Sequence, residues 1–441
     1  MNRYTDRSEI MAIGDSMYHG VHSLSLPSWM PAHSTPALVA GALGLPMVVP
    51  DPAHNLLWDL TEEIRHGSVL GLAGRMADIC RENLAHWQEG VPWSEHEAFD
   101  NVAIGGADIA DLWLTTYNSR LATFRDLSAR FLDGSLTGLG ALRHLTDLWF
   151  ALGTCHTLNP RHRAEQADKS QLDQVRDRQP RTLLINIGSN EGLFDACFMG
   201  DIRFGDEMQK GTAEYAARVI RERVETLAGL LAALPSGVER IAFNGLVRPR
   251  TVPNLMPDGA GPIVFPGDDY HQGYVARLTD TQPRVTDATL RRYDALIAQV
   301  NDTSRQTLAS RLGGRAVFVD LYPACDAVDG KHYRDLGMTV PGNGQVLDTR
   351  AIESTLSGFQ GGFASLDNMH PTIPGYAVIA DAVLAALGHP GVTVDKDAAF
   401  QADRLLSDFP GWSVFNMQVL ASLFVSLARL FLARSGPTAT S

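Results

Sequence analysis

Ile10-Met-Ala-Ile-Gly-Asp-Ser16 reads as a short apolar strand running into a Gly-Asp-Ser turn. Its short apolar run, closed by glycine and a polar pair, has the pattern of a strand entering a turn in an α/β sheet. A serine placed there sits at a strand's carboxyl end, where open α/β sheets hold their ligands. Gly14 permits the tight turn, and Asp15 can bond its own local backbone and hold the turn's shape. Working outward, Asn101-Val-Ala-Ile-Gly-Gly-Ala107 is a second strand, ending in a glycine pair whose N–H can approach a substrate oxygen closely. Arg181-Thr-Leu-Leu-Ile-Asn-Ile-Gly-Ser-Asn-Glu191 is a third, and the side-chain amide of Asn190 at its end is a further hydrogen-bond donor. The last stretch, Gly361-Gly-Phe-Ala-Ser-Leu-Asp-Asn-Met-His-Pro-Thr-Ile-Pro-Gly-Tyr376, places Asp367 three residues before His370, ahead of an apolar helix over Tyr376–Leu387. An Asp that holds Nδ1–H of a His leaves Nε2 free to take a proton from a serine, and a short Asp-x-x-His loop brings the two together locally. Taken singly, each stretch also fits an ordinary βα turn, an N-cap asparagine or a solvated loop.

Four such blocks, in this order and all at strand ends, resemble the SGNH/GDSL hydrolase superfamily, from about residue 10 to about residue 387 with long unmatched insertions. The resemblance implies Ser16 as nucleophile, Asp367 and His370 as its acid and base, and an oxyanion hole from Ser16, Gly106 and Asn190. Gly106 is preferred to Gly105 because the family's donor is usually the glycine directly before a small or polar residue, here Ala107. The third block departs from the family, whose usual Gly-x-Asn-Asp has Glu191 in its last place here. The family's second acid is not a triad member, so the departure bears on local geometry. The implied activity is a serine hydrolase cleaving carboxylic esters, of esterase or lipase type, on a small-molecule or lipid ester, with no metal and no cofactor. An acyltransferase using the same acyl-enzyme, and a catalytically silent scaffold or binding protein, are the alternatives. The implied fold class is α/β: a flavodoxin-like α/β/α sandwich with a five-stranded parallel sheet, helical insertions and a C-terminal apolar helix.

With 441 residues, 45% hydrophobic and 20% charged, the chain can bury a large core. A net charge of −13 argues against a nucleic-acid surface or a polybasic membrane patch. The four cysteines, Cys80, Cys155, Cys197 and Cys325, lack a paired spacing and read as reduced thiols. No apolar h-region precedes the first strand, so the expected location is cytoplasmic. The expected organisation is a hydrolase domain over residues 1–395, with a helical cap-like insertion at about 108–180, and a C-terminal amphipathic helical tail over 396–441.

Taken in order, Met17–Pro31 is an aromatic, Met- and Pro-rich loop beside Ser16 that suits an acyl-pocket wall. His19 and His22 within it have no neighbouring acid and read as surface or packing residues. Thr35, Pro36 and Gly44 mark the start and stop of a helix. Six of the seven tryptophans fall in the first 150 residues, and core filling is the favoured reading over an aromatic acyl channel. Arg161–Arg181 carries charges of both signs and reads as a solvated linker. Regular alternation follows: a helix over 213–234, a strand over 240–244, a helix over 288–312 and a strand over 316–320, which argues for a parallel sheet. The Pro-rich loop 246–257 leaves a strand's carboxyl end and is expected to line the site, while Asp320 reads as a structural cap. In the tail, Ser422, Ser426, Arg429 and Ala433 share one narrow face of an otherwise apolar helix. Burial, a homodimer contact and peripheral membrane contact are its readings; Asn416, Gln418 and Arg429 interrupt it and argue against a span.

Overall fold

The computed structural model describes residues 8–66, 72–87, 91–135, 138–258, 263, 265, 269–277, 285–355 and 358–409. Four apolar runs form one parallel sheet, β1 (Ile10–Gly14), β2 (Thr182–Asn186), β3 (Arg240–Asn244) and β4 (Ala316–Val319), hydrogen-bonded in that order. The register places Ile13 beside Ile185 and Ile185 beside Phe243, so equivalent residues end together at the carboxyl edge. Side chains alternate between faces along each strand. Met11, Ile13, Leu183, Ile185, Ile241 and Phe243 enter one core, covered by helices Ala213–Ala232 and Asp287–Leu312. Ile10, Ala12, Leu184, Ala242 and Val319 enter the other, under helices Thr35–Ala42 and Ile373–Ala386. The result is an α/β/α layering with every strand covered on both faces.

The helix boundaries follow their capping chemistry. Thr212 and Thr286 cap helices Ala213–Ala232 and Asp287–Leu312 through their hydroxyls; Ser34, rather than Thr35, stands at the N-cap of the short helix Thr35–Ala42, where its hydroxyl donates to the Pro31 carbonyl instead of capping.

The expected fifth strand is not formed. Residues 100–104 run beside β1, with Ala12 N–H donating to Asp100 and Val102 and Ile104 N–H donating to Ala12 and Gly14. Only one bridge, Ala12 with Asn101, results. The N–H of Gly14, which the next rung would give to the Val102 carbonyl, is taken instead by the side chain of Gln171, so a side chain competes with the ladder.

One other expectation is corrected. The charged stretch before β2 is not a solvated linker: Gln171–Arg178 is a helix with a capping box at Ser170 and Asp173, and Leu172 and Val175 are buried. The side chain of Gln171 donates to the carbonyl of Gly14 and accepts its N–H, and Arg178 forms a buried ion pair with Asp100. Helices Tyr117–Leu132 and Gly138–Leu158 of the inserted region share a core with Trp87 and Trp93.

Residues 396–409 pack on the body. Asp403 accepts the N–H groups of Ile373, Leu405 and Leu406. The apolar tail helix lies outside the described residues, and among the described residues no helix is long and apolar enough to cross a membrane.

Candidate active site

β1 delivers Gly14 at φ +144°, where a Cβ would lie 2.0 Å from the carbonyl oxygen of Asn186, so only glycine fits this close approach. The chain then turns through Asp15, whose N–H donates to Asn186 and whose carboxylate accepts from Met17 N–H and the Asn186 amide. Burial pushes Asp15 up to about 6, against these hydrogen bonds. Ser16 follows as the first residue of a one-turn helix, Ser16–His19.

The loop before helix Ile373–Ala386 brings the partners. His370 Nε2 lies 2.9 Å from Ser16 Oγ, and His370 Nδ1 lies 2.7 Å from Asp367 Oδ2. Backbone donors hold the acid rigidly: Met369 and His370 N–H donate to Oδ1 at 2.9 and 2.8 Å, and Leu24 N–H to Oδ2 at 2.7 Å. Burial alone would raise Asp367, but the facing His370 and the backbone donors outweigh it and hold the carboxyl below its ordinary range. Thr372 ties the loop to the helix, capping Gly375 and donating to the Gly362 carbonyl.

Of the expected oxyanion groups, Ser16 and Asn190 line one cavity together with His370. Gly106 does not line that cavity; it sits at φ +85° beside Ala107, whose carbonyl accepts the Asn190 amide at 2.8 Å. Among the described residues, the N–H groups of Ser16 and Gly106 have no protein acceptor. The third block's departure has a structural use. Glu191 accepts Ile109 N–H at 2.5 Å and faces Arg223 at 3.3 Å, joining the third block to the second. Burial raises its carboxyl to about 7.

The cavity is about 70 Å³, and its wall is largely apolar, including Leu193, Phe194, Leu246, Val252, Phe363 and Met369. The Pro-rich loop contributes to it as expected, whereas of the Met17–Pro31 loop only Met17 does, and among the described residues no tryptophan reaches it. A larger groove of about 1030 Å³ shares Asn190 with it. Asp320 accepts Tyr322 N–H, a capping role. Among the described residues no group of three or more His, Cys, Asp or Glu could hold a metal ion.

Several site residues escaped sequence reasoning. His19 and His22 are both fully buried. His22 Nε2 lies 3.5 Å from Asp403, with burial opposing and Asp403 outweighing it to raise the ring's pKa. A row of polar side chains at the sheet edge supports the turn: Tyr18 donates to Asn244, Asn244 to Asn186 and Asn186 to Asp15. Its visible signal is an asparagine closing each of two apolar strands. Asp329 and His332 repeat the Asp-x-x-His spacing at 2.8 Å, but that histidine bonds Tyr274 in the interior. The spacing therefore marks a local pairing, and the serine partner distinguishes the site.

No family model and no curated protein matches the sequence. Two solved structures align over 88% of the chain. LAE5, an α/β hydrolase enzyme from the metagenome of Lake Arreo, Spain, is 14% identical over 98% of its own length, with a TM-score of 0.30. Axe2, an acetylxylan esterase from Geobacillus stearothermophilus, is 13% identical over 97% of its length, with a TM-score of 0.31. Likeness of this extent carries no inference for this chain, whose site is read from its own geometry.

Proposed function

We propose that the chain is a serine hydrolase of carboxylic esters, acting through an acyl-enzyme at Ser16. The observation that carries this reading is the unbroken series from Ser16 through His370 to Asp367, opening on a cavity at the carboxyl end of the sheet. In the first half-reaction the Ser16 hydroxyl proton passes to His370 Nε2 as Oγ bonds the ester carbonyl carbon, and the carbonyl π pair moves to oxygen. In this reading that oxyanion meets the N–H of Ser16 and the Asn190 amide, which line the cavity, and the Gly106 N–H, on the turn that Asn190 ties to the cavity through the Ala107 carbonyl. Collapse expels the alcohol, which takes the proton from Nε2. Water then repeats the sequence: its proton goes to His370, its oxygen bonds the acyl carbon, and the carboxylic acid leaves as Ser16 regains its proton. Asp367 keeps the ring in the required tautomer and stabilises the imidazolium formed in each half.

A small apolar cavity favours a short acyl group over a fatty chain. On purified protein, p-nitrophenyl acetate and butyrate are expected to exceed the decanoate in kcat/KM by about 10-fold or more, the scale on which pocket size discriminates. A profile rising toward the decanoate would contradict the acyl assignment, and no turnover of any length would contradict the hydrolase reading.

A further inference from the structure

We propose that His19 is a positioning residue for the oxyanion site, holding the Gly105-Gly106 turn so that the Gly106 N–H is presented as a donor. This rests on the esterase reading above.

The turn needs an external hold. Ala107 N–H donates to the Ile104 carbonyl, so Gly105 and Gly106 are the central residues of a tight turn, and Gly106 at φ +85° suits its second corner. Two adjacent glycines are the softest backbone a chain can offer, whereas an oxyanion donor is effective only if fixed before the charge develops. Ile104 N–H is taken by Gly14 in the sheet. The next N–H, that of Gly105, is taken by His19 Nδ1 at 2.9 Å.

That bond sets the state of the ring. An Nδ1 that accepts an N–H carries no proton, so the proton is on Nε2, which lies 3.2 Å from the hydroxyl of Thr157 and donates to it. Only a neutral imidazole can do both. Complete burial, with His156 nearby, pushes the ring down to about 3 and keeps it neutral across the working range. Thr157 belongs to helix Gly138–Leu158, which also presses on the turn: a Cβ at Gly105 would lie 2.1 Å from Trp149, and one at Gly106 3.3 Å from Phe150.

The position of His19 adds the link to the nucleophile. Ser16 opens the one-turn helix and His19 closes it. One short element thus carries the first backbone donor, the N–H of Ser16, and the ring that anchors the second.

Three variants test the role. Asn at this position offers an oxygen where Nδ1 stands, Gln places it one bond further, and Leu removes the acceptor at similar size. His19→Leu is expected to lower kcat on p-nitrophenyl acetate by on the order of 10- to 100-fold, somewhat less than outright loss of an oxyanion donor, with KM changed less than about 2-fold. Affinity for an aryl trifluoromethyl ketone, whose adduct bears the oxyanion, should fall in parallel. His19→Asn should recover most of the loss and His19→Gln should not. Wild-type kcat in His19→Leu, or an Asn variant as impaired as Leu, overturns the proposal. If His19→Leu does not fold, Thr157→Val carries the test: a several-fold lower kcat at unchanged KM supports the role, and an unchanged kcat overturns it. Failure of the esterase reading looks different, since the wild-type protein itself would then turn over no short aryl ester.

Discussion

Ser16→Ala is expected to abolish turnover of short aryl esters, lowering kcat by on the order of 10⁶-fold, the scale on which a serine hydrolase loses its nucleophile. The prediction is sharp because the substitution touches little else. Among the described residues, Ser16 Oγ has one hydrogen-bond partner, His370 Nε2, and alanine is at least as good as serine in the first turn of a helix. Folding should be unaffected, with the melting temperature and far-ultraviolet circular dichroism close to wild type. Wild-type-like turnover by a folded Ser16→Ala protein would remove Ser16 from the chemistry.

Asp367→Asn is expected to lower kcat by on the order of 10⁴-fold through the tautomer of His370. Both carboxylate oxygens face donors: Oδ1 receives two backbone N–H groups, and Oδ2 receives Leu24 N–H and His370 Nδ1. An asparagine must turn its NH₂ toward one of these pairs. Facing the histidine, it makes Nδ1 an acceptor and leaves the proton on Nε2, where it blocks removal of the Ser16 proton. Facing the loop, it opposes two N–H groups and loosens the Asp367–His370 segment, at about 1–3 kcal/mol for an unsatisfied buried donor. The wild-type carboxyl, held below its ordinary range, contributes stability that is complete above that range and lost as the pH falls through its lowered value. Melting temperature against pH should therefore show an acid limb that is weakened in Asp367→Asn. A variant within 10-fold of wild-type kcat would contradict the assigned role.

The parts of the site that were legible in the sequence are those whose geometry is local. Gly14 ahead of Ser16, and Asp367 three residues ahead of His370, are set by one turn each; the spacing shows the local pairing, and the order of the four blocks singles these residues out. The alternation after Glu191 was legible for a related reason, since each strand and helix advertises its own period. What escaped depends on distant partners. The ring of His19 is defined by Gly105 and Thr157, 86 and 138 residues away, and His22 faces Asp403 near the other end of the described chain. Gln171 and Arg178 read as surface because long polar side chains usually are; their burial follows from Gly14 and Asp100, which no local pattern reveals. The missing fifth strand is a contest decided by Gln171, whose side chain takes the Gly14 N–H that the next rung needs from 157 residues away, which the apolar run at 101–104 does not reveal. The tryptophans fell to the simpler reading, with Trp87 and Trp93 filling the core beneath the inserted helices.

The central claim is that Ser16 is a nucleophile activated by His370, and labelling with a fluorophosphonate tests it most directly. Attack by Ser16 Oγ expels fluoride and leaves a phosphonyl ester on the serine, which requires the base but no knowledge of the natural substrate. Peptide mass mapping is predicted to find one stoichiometric adduct, on Ser16, formed in step with loss of aryl-ester turnover and absent from His370→Ala under the same conditions. A protein that hydrolyses aryl esters while its adduct sits on another residue, or that reacts at Ser16 equally well without His370, would contradict the account.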